Sequence, residues 1–171
     1  MLTASHNPKE YNGLKMCKAN AVPISGVSGI KDIKKLALAG EFEEPENKGK
    51  IIDKEIKADY EAAIFEDFKD IDLSKFKIAV DAINSVGGIA VPMLLEKLGV
   101  EITGLYCDAN GEFQHEPEPL EKNLGELKSL VTKVNADLGI SVDPDVDRLV
   151  FIDEKGEMFG EEYTVVSIAD Y

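Results

Sequence analysis

With 171 residues, 44% of them hydrophobic and 30% charged, the chain is long enough for one globular core with pieces of a second. No apolar run approaches the roughly 20 residues of a bilayer-spanning helix, and Met1-Leu2-Thr3 runs straight into polar sequence without the flank of a signal peptide, so a cytoplasmic location is expected. A net charge of −14 repels nucleic acid and anionic lipid, which excludes both as expected partners and leaves any phosphorylated ligand dependent on local cations.

In chain order, Gly13 to Lys18 alternates enough to predict a short strand, and the Gly/Pro/Ser-rich stretch Val22 to Gly29 then interrupts regular structure. A helix is expected over Ser28–Ala39, followed by the linker-like Glu41 to Lys50. From Ile52, the apolar positions Ile52, Ile56, Tyr60, Ile64 and Phe68 recur at every fourth residue, the stripe of an amphipathic helix that must dock on something. Strands are predicted at Lys77–Asp81, Val100–Cys107 and Asp137–Val142, with helices between them at Ile89–Leu98 and around Leu124, Leu127, Val131 and Val134. Strand alternating with helix builds a parallel sheet through crossovers, so the expected fold is a three-layer α/β/α domain with a mainly parallel sheet. Arg148–Asp153 reads as one more strand, Glu154 to Glu157 as a turn, and Glu161–Tyr171 as the start of a helix. Cys17 and Cys107 lack metal-ligand spacing and are expected to be reduced, partly buried thiols.

Asp143, Asp145 and Asp147 alternate with Pro144 and Val146 just past a predicted strand, so their carboxylates can converge. Two such charges 4 Å apart repel by about 4 kcal/mol at an effective dielectric near 20, and a hard dication converts that repulsion into affinity. An all-oxygen set with room for water and a phosphate oxygen suits Mg²⁺. An acidic surface turn is the plain alternative. A calcium loop is another, since Asp143, Asp145, Asp147 and Glu154 fit its ligand spacing, but Arg148 stands where that loop needs glycine. Arg148 is placed to hold a carboxylate or to clamp a phosphate.

Near the N-terminus, Ser5 precedes His6, Asn7 and Pro8, and by itself this segment reads as a turn or a helix cap more readily than as a nucleophile. Thr3 to Pro8 with Asn12-Gly13-Leu14-Lys15 nevertheless resembles the active-serine loop of the alpha-D-phosphohexomutases, and the aspartate cluster resembles their metal loop, in the expected order. The likeness continues through Val80 to Gly88, Gly111-Glu112-Phe113, Pro117-Glu118-Pro119 and Ala136 to Ile140, and so spans essentially the whole chain. Pro144 departs from the family pattern, which most often has glycine there, and it stiffens the loop without touching the three ligand positions.

The resemblance implies that Ser5 carries the phosphoryl group, that Mg²⁺ is bound by that phosphoserine with Asp143, Asp145 and Asp147, and that Lys15, His6 and Arg148 assist the transfer. The implied reaction interconverts a hexose 1-phosphate and a hexose 6-phosphate through a hexose bisphosphate. It further implies that residues 1–45 end a first domain, 46–153 form the second, and 154–171 begin a third. The missing domains of a parent chain would then be partners, and the isolated chain would bind Mg²⁺ weakly and lack turnover. Two other readings stay open: a Mg²⁺-dependent phosphatase with an aspartyl nucleophile, and a non-catalytic α/β binding or scaffold module. Asn84 to Gly88 lacks the full glycine spacing of a nucleotide loop and is expected to be a strand-to-helix turn.

Overall fold

The computed structural model describes residues 1–43 and 45–169. Its helices are α1 (Lys31–Ala39), α2 (Lys57–Phe68), α3 (Gly87–Lys97), α4 (Gly125–Val134) and α5 (Glu161–Ala169). Its strands are β1 (Lys77–Asp81), β2 (Glu101–Leu105), β3 (Leu138–Val142), β4 (Leu149–Asp153) and β5 (Met158–Phe159), joined in one sheet in the spatial order β2-β1-β3-β4-β5. β1 runs parallel to both β2 and β3, with Val80 beside Gly104 on one side and Ile140 on the other. β4 and β5 return antiparallel, so the sheet is mixed, with a parallel half built on the α3 and α4 crossovers.

The strand period of two decides the layers. Ile78 and Val80 point to one face, where they pack with Val91 and Leu95 of α3, with Val100, Ile140 and Val142 in the same cluster. Ala79 points to the other face and meets Leu124, Leu127 and Val131 of the α4 region, together with Val150 and Ile152 of β4. Burial of each Val, Leu or Ile contributes about 1.5–3 kcal/mol, so these two clusters hold the helices on opposite faces. The result is the α/β/α sandwich the alternation predicts. α4 lies so close to β3 that a Cβ on Gly139 would sit 2.7 Å from Val131 Cγ2 and 2.9 Å from Ile152 Cβ.

Outside this core the sequence expectations hold less well. Gly13–Lys18 forms no strand; it makes two isolated bridges, Leu2 with Leu14 and Cys17 with Pro23. The second bridge is closed by the Lys18 N–H to the Val22 carbonyl at 2.8 Å and the Ile24 N–H to the Met16 carbonyl at 2.9 Å, with Pro23 at the position that needs no N–H. Helix α1 begins at Lys31 rather than Ser28, because a wide turn over Gly26–Ile30 precedes it, with Gly29 at φ 145°. The stripe assigned to α2 is only partly a docking face. Ile52 and Ile56 precede the helix, and Tyr60 and Phe68 are about half exposed, at 52% and 46%. The inner face is instead Glu61, Ile64 and Phe65, with Lys97 of α3 pairing with Glu61 and lying over the Phe65 ring. The carboxylate of Glu55 accepts a 2.7 Å hydrogen bond from the Lys57 N–H, which fixes where α2 starts.

Cys107 is half-buried and Cys17 exposed, and both are free thiols. The last two residues of the helix expected over Glu161–Tyr171 lie outside the described residues, as does Glu44 in the linker. Among the described residues no helix is long and apolar enough to cross a membrane.

Candidate active site

β1 and β3 are parallel, so their C-terminal ends reach the same edge of the sheet, the edge where ligands bind in open α/β folds. Asp143 directly follows β3 there. The chain must reverse within a few residues to enter β4, and it does so by a turn in which the Val146 N–H donates to the Asp143 carbonyl at 3.1 Å, with Val146 at φ 62°. This turn brings carboxylate oxygens of Asp143, Asp145 and Asp147 within 4.8 Å of one another. Asp143 is fully buried, and its Oδ1 accepts the N–H groups of Asp147 and Arg148, both at 3.0 Å. Its Oδ2, and Oδ1 of Asp145, are buried with no hydrogen-bond partner. Burial pushes the Asp143 carboxyl above its ordinary range. Burial acts in the same direction on Asp145, but hydrogen bonds from Lys15 and Thr3 outweigh it and hold that carboxyl low. Two orphaned carboxylate oxygens beside a third acid fit a hard dication, which would supply the charge that the protein leaves uncompensated.

The N-terminal segment closes over this loop. Leu2 bridges Leu14, the Thr3 N–H donates to the Gly13 carbonyl at 3.0 Å, and Lys15 exchanges backbone hydrogen bonds with Met1. Any Cβ on Gly13 would collide with the Thr3 carbonyl, so glycine is what permits this approach. The turn between them carries Ser5 at φ 54°, in the left-handed region. The Ser5 N–H donates to Thr3 Oγ1 at 2.9 Å, and the Thr3 hydroxyl in turn donates to Asp145 Oδ2 at 2.9 Å. Ser5 Oγ lies 3.2 Å from His6 Nδ1. Lys15 Nζ donates to Asp145 Oδ2 at 2.7 Å and to Asp147 Oδ2 at 2.8 Å, and these two carboxylates raise its pKa well above the ordinary lysine value.

Of the residues singled out in the sequence, the structure thus brings Lys15 into direct contact with Asp145 and Asp147, and ties Ser5 to Asp145 through Thr3. The Arg148 guanidinium makes no contact with the aspartate side chains. The Arg148 backbone holds Asp143, while the guanidinium pairs with Glu118. Two features had no role assigned from the sequence: the relay hydroxyl of Thr3, and the Asp81–His115 pair. Asp81 is fully buried at the end of β1; its Oδ1 accepts the Ile83 N–H, and its Oδ2 lies 3.0 Å from His115 Nε2. The spacing of Thr3 and Ser5, two residues apart, is the available signal for a hydroxyl-capped turn. Nothing in the spacing of Asp81 and His115 links them. An open groove of about 990 Å³ runs beside the site, lined in part by Thr3, Asn7, Asn84, Phe113 and Asp145.

Taken together, the sandwich and its edge define an α/β protein with a three-carboxylate loop facing a serine turn. The chain belongs to the phosphoglucomutase/phosphomannomutase family: residues 58–156 match the model of its alpha/beta/alpha domain II, and residues 1–44 that of its alpha/beta/alpha domain I. A phosphoglucomutase of Neisseria meningitidis is 34% identical over 161 residues, covering 92% of this chain. A phosphoglucomutase/phosphomannomutase of Thermococcus kodakarensis is 32% identical over 178 residues, covering 99%. The crystal structure of a phosphoglucomutase/phosphomannomutase family protein from Burkholderia thailandensis superposes with a TM-score of 0.86 at 30% identity over 99% of the chain. The chain spans 34%, 38% and 36% of the lengths of these three proteins.

Proposed function

We propose that this chain carries the phosphoryl-transfer centre of a phosphohexomutase, which interconverts hexose 1-phosphate and hexose 6-phosphate through a phosphoserine at Ser5. The observation that carries this reading is the double tether from the Ser5 segment to the aspartate loop, through Thr3 and Lys15 to Asp145 and Asp147. Among the described residues, this tether joins the Ser5 segment near one end of the sequence to the three-aspartate loop near the other.

In the proposed step, a bond forms between Ser5 Oγ and phosphorus as the phosphorus–oxygen bond of a hexose bisphosphate breaks. The Ser5 hydroxyl proton goes to the sugar oxygen released. That bisphosphate forms when phosphorylated Ser5 gives its phosphoryl group to the free hydroxyl of a hexose monophosphate, and taking back the phosphoryl group from the opposite end leaves the isomeric monophosphate and phosphorylated Ser5. Ser5, held at positive φ, presents its hydroxyl from a fixed turn, and His6 at 3.2 Å orients it. Lys15 contacts the moving phosphoryl group, and Arg148, once turned from Glu118, orients it. Asp143, Asp145 and Asp147, with an oxygen of the phosphorylated Ser5, would hold Mg²⁺. That ion would neutralise charge on the phosphoryl oxygens.

The cations on this chain nearest the site are already engaged: Lys15 by two aspartates, Lys9 by Glu112 and Arg148 by Glu118. Sugar-phosphate recognition is therefore assigned to the remaining domains of a mutase, with 1–45, 46–153 and 154–171 as parts of three successive domains and the cytoplasm as the site of action. Incubating the 171-residue chain with Mg²⁺ and excess labelled hexose 1,6-bisphosphate is expected to label Ser5 slowly, without multiple turnover, and Ser5→Ala is expected to take no label. Label on Asp143 or Asp145 instead would indicate aspartyl-phosphatase chemistry and overturn the reading.

A further inference from the structure

The ammonium of Lys15 occupies the same carboxylates a dication would need. Its two partners are Oδ2 of Asp145 and Oδ2 of Asp147. The Asp145 oxygen also receives the Thr3 hydroxyl, so both its lone-pair directions are committed. Asp143 Oδ2 and the other oxygen of Asp145, Oδ1, are buried and unpartnered. A cation seated on those two oxygens would share Asp145, and by way of the cluster Asp147, with the ammonium. Two cations on shared carboxylates only a few ångströms apart repel each other strongly in a partly buried setting.

The two groups differ in how easily they give way. Asp143 is locked by two backbone N–H bonds and Asp145 by Thr3, whereas the Lys15 side chain is 47% exposed on a flexible stem. The Lys15 backbone is fixed on both its N–H and its carbonyl by Met1, so only the side chain can swing. An ammonium displaced from the aspartates stays on the segment bonded to Met1 and Leu2, just ahead of the Ser5 turn, where an anionic phosphoryl group is its next available counter-charge.

We propose that Lys15 is a built-in competitor for the cation site: it neutralises Asp145 and Asp147 when no dication is bound, and dication binding displaces it toward Ser5. This rests on the metal-site reading above and adds a regulation to it. Lys15 then links two events, so that the ammonium is delivered to the phosphoryl group only when the cation is in place. The weak metal affinity expected of the isolated chain would then follow from this competition rather than from a poor ligand set.

The test is titration of the 171-residue chain with Mn²⁺, followed by electron paramagnetic resonance, and with Mg²⁺, followed by calorimetry. Wild type is compared with Lys15→Met, Lys15→Gln and the site control Asp145→Asn, each checked for folding by circular dichroism. In parallel, the rate at which an amine reagent modifies Lys15 is followed by peptide mapping with and without Mg²⁺. The expected result is binding at least tenfold tighter in both Lys15 variants than in wild type, loss of binding in Asp145→Asn, and faster modification of Lys15 when Mg²⁺ is present. Equal or weaker binding in the Lys15 variants, with Asp145→Asn still deficient, would overturn the competition while leaving the metal site standing. Binding that Asp145→Asn leaves unchanged, or none in any variant, would remove the metal-site reading and this inference together.

Discussion

Lys15 Nζ lies 2.7 Å from Asp145 Oδ2, a contact between residues 130 positions apart. The aspartate loop is positioned by β3 and β4 and the lysine by the bridged N-terminal segment, so the contact joins two parts of the chain far apart in sequence. It also explains why a chain of net charge −14 can hold three acids together. One positive charge is shared between two of them, and backbone N–H groups satisfy part of the third.

Thr3 is the second strut between the same two pieces. Thr3→Val keeps the shape but removes an acceptor from the Ser5 N–H and a donor from Asp145. A hydrogen bond to a charged group contributes about 1.5–3 kcal/mol. The variant is expected to lose about 1–2 kcal/mol in urea denaturation, and any Ser5 labelling by hexose bisphosphate is expected to fall with it. Unchanged stability and labelling would show that the strut carries no load.

Asp143 gives a prediction of opposite sign for stability and binding. Its charge is buried and only half satisfied, but an amide oxygen can accept the same two N–H groups. Asp143→Asn is therefore expected to melt at the same temperature as wild type or higher without metal, and to gain nothing from Mg²⁺. Wild type in Mg²⁺ at a hundred times its dissociation constant gains about 2.7 kcal/mol. Thermal melts with and without Mg²⁺ read both effects, and a wild-type melt indifferent to Mg²⁺ would contradict the site.

The Asp81–His115 pair makes stability depend on pH. The hydrogen bond from His115 to Asp81 raises the histidine pKa above its ordinary value near 6.5, against the opposing effect of burial. Asp81 is the anion it faces most closely, with Glu126 further off and the Tyr106 ring edge-on at 6.2 Å. Because the folded pKa lies above the unfolded one, this stabilisation is complete below about pH 6.5 and is lost as pH rises through the folded value. Urea midpoints measured from pH 6 to pH 9 are expected to fall in wild type, and to be flatter in His115→Gln. Parallel curves for the two proteins would remove the pair from the account.

Gly139→Val tests the packing of α4 on the sheet. Its side chain would enter space held by Val131 and Ile152, and overpacking of this kind costs about 1–3 kcal/mol. A loss of that size in denaturant unfolding is expected, with Gly139→Ala milder. No loss would mean that α4 can shift outward freely.

The sandwich was legible in the sequence because its strands are short apolar runs, α3 is apolar nearly throughout, and α4 carries its apolar residues on one face. Val80, Leu127, Val131 and Ile140 each follow a period that only one fold class accommodates. The N-terminal region was less legible, since its order comes from single bridges and side-chain relays rather than from repeating hydrogen bonds. Gly13–Lys18 has a strand's alternation but no neighbour able to continue the ladder. The α2 stripe misled in a different way. Ile52 and Ile56 keep the helical period although the helix begins only at Lys57, so sequence spacing alone could not show where docking starts. At the site, the aspartates were marked by their alternation past a strand, and Ser5 and Lys15 by resemblance. The Thr3–Ser5 spacing marks only the local turn; the Thr3 contact to Asp145, like those of Glu118, Asp81 and His115, joins distant segments, which no local pattern encodes.

The account turns on Ser5 carrying phosphate. The most direct measurement is the intact mass of the native protein isolated from its source cells, with peptide mapping of any added phosphate. One phosphate located on Ser5, in a chain longer than 171 residues, is the predicted result. A native protein of this length without phosphate, or with phosphate on Asp143 or Asp145 instead, would contradict it.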